Sequence, residues 1–165
     1  MENPFIAAMI KFAVLGTAGE IAAKLIGRKK IKLLQTLYSV LVWAVLGIII
    51  KFIFAGYHAM VDGLIEIGYL PAGMLSQAFF KSLFMNAMFG PWLIVMHRVF
   101  DRIPFGKPYV PQEGLKGAML SLLWFWLPAH TVTFLMSPDW QITLAAIWSF
   151  VLGLILGFFN LRKKI

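Results

Sequence analysis

An all-α bundle of about five membrane-spanning helices is the fold class this sequence predicts, and three observations carry it. The chain is 61% hydrophobic and only 13% charged, with a mean hydropathy of +0.83, far from the balance of a soluble domain. It contains five apolar runs, each near the roughly 20 residues an α-helix needs to cross about 30 Å of hydrocarbon. Its basic residues also collect on one side of those runs, as membrane topology requires. At 165 residues the chain has room for four to six spans. Residues 1–165 are therefore expected to form a single integral membrane domain with no soluble domain.

The runs are expected at about 4–26, 33–56, 72–97, 114–137 and 140–161. Pro4 suits the first turn of the first helix, Pro71 opens the third run, and Pro138 with Asp139 separates the fourth from the fifth. The opening "MENPFIAA" carries an acid and no Lys or Arg, so a cleavable signal is not expected and the first helix stays in the mature protein. Cysteine is absent, which excludes disulfides and thiol chemistry.

Charge tests the count independently. Basic clusters follow run one ("KLIGRKKIK"), run three ("RVFDRIPFGKPYVPQEGLK") and run five ("RKK"). Between runs two and three, by contrast, lie Asp62 and Glu66, and between four and five only Asp139. Of the fifteen Lys and Arg, all but Lys11, Lys51 and Lys81 fall on one side. The positive-inside rule then places the N-terminus outside and the C-terminus on the cytosol-like side of a bacterial inner or organellar membrane. The net charge of +8 reads as a topology signal and a contact surface for anionic lipid headgroups, not as a nucleic-acid footprint.

Charges inside spanning helices are costly and face a partner, a water-filled cavity or the headgroups. Glu20 and Lys24 are spaced for an intrahelical ion pair. Lys11 and Lys51 lie in the outer half, from which their apolar stems can reach the headgroups. Lys81 belongs to a polar strip with Gln77, Ser82 and Asn86 along one side of run three, either a solvated path or a set of buried interhelical hydrogen bonds.

After run two, His58, Asp62 and Glu66 recur every four residues, the mark of a short amphipathic segment or of run two continuing out of the membrane. That spacing permits one-sided metal ligation. It is also the ordinary pattern of a wet helical face, and no metal and no cofactor are expected. A further reading has these acids balancing the outer-half lysines at a vestibule.

Run four carries Pro128 beside His130, Thr131 and Thr133, polar groups able to re-satisfy a freed carbonyl or to bond another helix. Gly90-Pro91 interrupts run three in the same way, so Gly90, Pro91 and Pro128 are expected hinge positions. Gly16 with Gly19, and Gly153 with Gly157, allow close helix approach. Trp140 sits where an outer aromatic belt belongs. At the inner end of run three, Arg98 and Arg102 are placed to hold a headgroup phosphate.

Three stretches resemble the Mpv-seventeen and peroxisomal membrane protein two family, at a distance and with rearranged spacing. "GPWLIVMHRVFDR" is similar to that family's second-helix signature at Gly90, Pro91, Asp101 and Arg102, with Phe100 in place of Leu and Met96-His97 in place of the aromatic pair. "LGTAGEIAAKL" resembles its first-helix motif, with Gly19 and Glu20 in the Gly-Asp positions and Lys24 near the Gln. "WLPAHTVTFLMSP" keeps Trp126, Phe134 and Pro138 in register, His130 standing for Gln and Thr133 for Asn. The resemblance implies a pore passing small metabolites or ions with little selectivity.

No catalytic signature appears: there is no H-E-x-x-H, no G-x-S-x-G and no phosphate-binding loop. An enzyme acting on a lipid headgroup at Arg98 and Arg102 lacks a nucleophile paired with a base, so no catalytic residue is expected. The leading expectation is a channel or transporter-like pore for small solutes or anions, with Gln77, Lys81, Asn86, His130, Lys11 and Lys51 along its polar path. The alternative is a non-catalytic scaffold or accessory subunit, including a homo-oligomer, whose polar strip bonds another helix.

Overall fold

The computed structural model describes residues 3–100 and 114–162, and among these the regular structure is entirely helical. Five helices are long and apolar enough to cross a membrane: α1 (Pro4–Ile26), α2 (Leu33–Glu66), α3 (Met74–Phe100), α4 (Leu115–Leu135) and α5 (Pro138–Arg162). The described residues are all-α, with five helices of spanning length. Asp101 and Arg102, together with the basic loop that follows them, lie outside the described residues.

Local chemistry sets the helix ends. Asn3 caps α1, its side-chain oxygen accepting from the Phe5 N–H at 2.9 Å, with Pro4 in the first turn. Both α1 and α2 stop in the same way. At the end of α1 the N–H groups of Arg28 and Lys29 bond back to Leu25 and Lys24; at the end of α2 those of Gly68 and Tyr69 bond back to Ile65 and Leu64. That reversal needs a left-handed residue, supplied by Gly68 (φ 81°) in one case and by Arg28 (φ 51°) in the other.

Residues 57–66 continue α2 without a break. The polar repeat at His58, Asp62 and Glu66 is thus the last turns of α2 itself, not a separate interfacial helix, because nothing between Lys51 and Glu66 terminates the helix before the Gly68 reversal.

Both internal prolines are met by a change of helix type. In an α-helix the ring of Pro91 would strike the carbonyl of Ala87, and that of Pro128 the carbonyl of Trp124. The chain widens instead into a π-helical turn at Met85–Phe89 and another at Leu122–Trp126. Gly90 N–H then bonds to Met85 O, and Leu127 N–H to Leu122 O. The expected hinge positions Gly90, Pro91 and Pro128 therefore lie at the exits of two π turns, a geometry that marks functional positions in many helices. The two turns pack on each other. A Cβ added to Gly90 would sit 2.7 Å from a Leu122 methyl.

The chain forms two compact units, Met1–Lys51 with Ile142–Ile165, and Phe52–Gln141. In the first, α1 runs antiparallel to the early part of α2, with Gly16 under the Trp43 ring and Gly47 against Ala8 and Phe12. It runs parallel to α5, where Gly19 and Gly153 bring two backbones together: a Cβ on Gly153 would lie 2.5 Å from Gly19 O. In the second unit α3 packs chiefly along α4, while Phe54 of α2 meets Phe134 of α4 with ring centroids 4.9 Å apart.

Candidate functional site

The polar face of α3 supplies the site, all of it within the unit Phe52–Gln141. Gln77 is half-buried, while Lys81, Ser82 and Asn86 are buried. They share one side of the helix because Gln77, the adjacent pair Lys81 and Ser82, and Asn86 succeed one another at steps of about one turn. Their partners come from α2 and α4.

The Lys81 side chain is only 6% exposed, and its Nζ lies 2.8 Å from Oδ1 of Asp62, whose side chain is 53% exposed. One charge is thus buried and the other open to solvent. An ammonium in a spanning helix requires such a counter-ion, and a carboxylate that keeps its water makes one at small desolvation cost. One turn earlier on α2, His58 Nε2 lies 2.8 Å from Oε1 of Gln141, whose amide nitrogen in turn donates to Met136 O at 3.0 Å.

Deeper in the helix pair, the Ser82 hydroxyl donates to Leu127 O at 2.7 Å, a carbonyl that also accepts from the Thr131 hydroxyl at 2.8 Å. Leu127 is the residue before Pro128, so the cross-helix bond falls where proline disturbs the α4 ladder. Asn86 Nδ2 donates to Ser82 O at 2.8 Å and approaches Ser82 Oγ at 3.2 Å and His130 Nδ1 at 3.4 Å. The His130 ring stacks on Trp126 with centroids 4.9 Å apart and meets Phe54 edge-on. Polar groups therefore run from the solvent-facing Asp62 inward to Asn86 and His130. Beyond Asn86 the lining turns apolar, at a pocket of about 50 Å³ formed by Leu83, Asn86, Ala87, Leu122, Leu123 and Leu127. That volume holds water molecules and not a metabolite.

The other expected residues are placed elsewhere. Lys11 and Lys51 belong to the unit Met1–Lys51 with Ile142–Ile165. Lys11 donates to Thr143 Oγ1 at 2.7 Å, and Lys51 is half-buried on α2. Glu20 and Lys24 stand 3.9 Å apart, both partly exposed, a pair worth a few tenths of a kcal/mol. The firmer partners of Glu20 are Ser39 Oγ at 2.8 Å and Trp43 Nε1 at 2.7 Å, one on each carboxylate oxygen. Glu20 is therefore a brace between α1 and α2 more than an intrahelical pair. Arg98 is half-buried near the end of α3, and its proposed companion Arg102 is outside the described residues. Among the described residues no three His, Asp or Glu cluster as metal ligands; His58 and Asp62 are engaged with Gln141 and Lys81.

Sequence reasoning missed Gln141, Ser39, Trp43 and Thr143 as partners. Ser39 and Trp43 did leave a signal, being one turn apart and so able to reach one carboxylate together.

Five apolar spans with a charged residue buried in one of them define a multi-pass α-helical membrane protein. Comparison of the chain with family models, with curated proteins and with solved structures finds no match in any of the three.

Proposed function

We propose that the protein is a small-solute conduit of pore type, with Lys81 as the charge that selects for anions and with its polar path closed at the paired π turns. The observation that carries the reading is Lys81 itself: a buried ammonium inside an apolar helix, tied at 2.8 Å to a half-exposed carboxylate at the solvent-facing end of a polar track. A structural role alone has little need of so costly a group. Further support comes from the abrupt change to a leucine-lined pocket beside Gly90 and Leu122, where apolar constrictions of channels gate by excluding water.

Distant kinship with the Mpv-seventeen and peroxisomal membrane protein two family belongs to the same proposal. Its support is that the matched positions Glu20, Gly90-Pro91 and His130 each sit at an interhelical bond or a π turn. Liposomes containing the purified protein are expected to leak small anions in preference to cations, with Lys81→Ala lowering that preference severalfold. Liposomes that stay tight across a range of solutes sink the conduit.

The orientation proposed is N-terminus out and C-terminus in, supported by the charge asymmetry of the loops. Since the chain has no cysteine, single cysteines at Asn3 and Arg28 are unambiguous reporters. An impermeant maleimide added outside should label the first and spare the second in intact cells; the reverse pattern inverts the topology.

The second reading is a non-catalytic accessory subunit. It is favoured by the satisfaction of Ser82, Asn86 and His58 by partners within the chain, which leaves them no need of a solute. A stable assembly by native mass spectrometry together with absent flux would select it.

A further inference from the structure

Lys11 is a cation within a span that the conduit does not use. It lies in α1 and is half-buried, and among the described residues its one partner is Thr143 Oγ1 of α5, at 2.7 Å. No described carboxylate forms an ion pair with it; Asp139, one turn before Thr143, is exposed and makes none. A lysine ammonium has three N–H donors, and Thr143 accepts one of them. The Thr143 hydroxyl proton itself has no acceptor among the described residues. Two side chains on adjacent parallel helices therefore hold unused donors within one hydrogen bond of each other, at a depth of about one and a half to two turns from the helix starts at Pro4 and Pro138.

What lies next to them identifies the ligand. Val14, one turn beyond Lys11 on the same face of α1, is 61% exposed, and Ile147, one turn beyond Thr143 on the same face of α5, is 39% exposed. Trp140, on the turn of α5 nearer the interface, is 61% exposed, as an aromatic residue at headgroup level would be. An ammonium and a hydroxyl thus stand beside exposed aliphatic side chains, Ile6, Ile10 and Val14 along α1 and Ile147 on α5, and a phosphate joined to an acyl chain is the ligand that meets both.

We infer that Lys11 and Thr143 form a binding site for the phosphate of an anionic phospholipid, whose acyl chain lies along Val14 and Ile147. The lipid supplies the negative charge that no described carboxylate places beside Lys11, through charge-assisted hydrogen bonds from Nζ and from the Thr143 hydroxyl.

The test is native mass spectrometry of the full-length protein released from micelles containing equal phosphatidylglycerol and phosphatidylcholine. The wild type is expected to retain phosphatidylglycerol about tenfold over phosphatidylcholine, and Lys11→Gln to abolish that preference. Thr143→Val should weaken the preference, and Lys11→Arg should keep it. Lys81→Met, in the other unit, should leave it at the wild-type level. Circular dichroism of each variant establishes that its helices are intact, and Lys11→Arg controls for charge. Undiminished retention by Lys11→Gln overturns the site. Displacement of the lipid by excess inorganic phosphate overturns its assignment to a lipid and gives the site to a free anion.

Discussion

Replacing Asp62 with Asn is expected to destabilise the protein by about 2–3 kcal/mol, and replacing Lys81 with Met by about 1 kcal/mol or less. The asymmetry follows from exposure. Asp62→Asn leaves an ammonium that is 6% exposed with no counter-ion, whereas Lys81→Met leaves a carboxylate that is 53% exposed and already solvated. Methionine also fits the volume and flexible shape of the lysine stem. The double variant should resemble Lys81→Met alone, because the stranded charge is gone in both. Equilibrium unfolding in a mixed-micelle denaturant titration measures all three. Equal costs for the two single variants, or a larger one for Lys81→Met, would show that the pair is not the one-sided burial described above.

Gly153→Ala is expected to cost about 2–3 kcal/mol, an overpacking penalty, while the same substitution at Gly56 should be neutral or stabilising by up to about 1 kcal/mol. At Gly153 the added methyl would meet the backbone of Gly19 at 2.5–2.9 Å. No side chain can rotate out of the way, so α1 and α5 must separate. At Gly56, in mid-α2, the new Cβ meets nothing within 4 Å, and only the helix propensity changes. Thermal unfolding of the two variants side by side reads the contrast directly. A destabilisation of Gly56→Ala as large as that of Gly153→Ala would remove close backbone approach as the cause.

The spans were legible in the sequence because their signal is additive: many apolar residues each contribute, and Pro4 and Pro138 mark the starts of α1 and α5 almost to the residue. The course of α2 past residue 56 was open, since a polar residue every fourth position describes a detached amphipathic helix as well as a continuing one. Tertiary position, not periodicity, decides between them. Proline told where α3 and α4 would be disturbed, but not that the disturbance would be a widened turn. A helical wheel drawn straight through Met85–Phe89 slips by about one residue, roughly 100°, so the face before the π turn is not the face after it.

The site divides the same way. That Gln77, Lys81 and Asn86 form one strip could be counted from their spacing. That Lys81 meets Asp62 and that Asn86 meets His130 depends on how neighbouring helices pack, which no single helix encodes. For Glu20 the local rule selected Lys24, the neighbour four residues on. Two uncharged donors from α2 hold the carboxylate more closely, because each sits directly opposite an oxygen.

The 34 residues of α2 span about 51 Å at 1.5 Å per residue, against roughly 30 Å of hydrocarbon. The surplus of about 20 Å must be taken up by tilt, by thickening of the surrounding lipid or by emergence into water. Each of these couples the Asp62 end of the helix to the thickness of its membrane. The degree of hydration at the Lys81 ion pair then becomes a property of the host bilayer as well as of the chain, so that transfer to thinner or thicker lipid would itself act as a control.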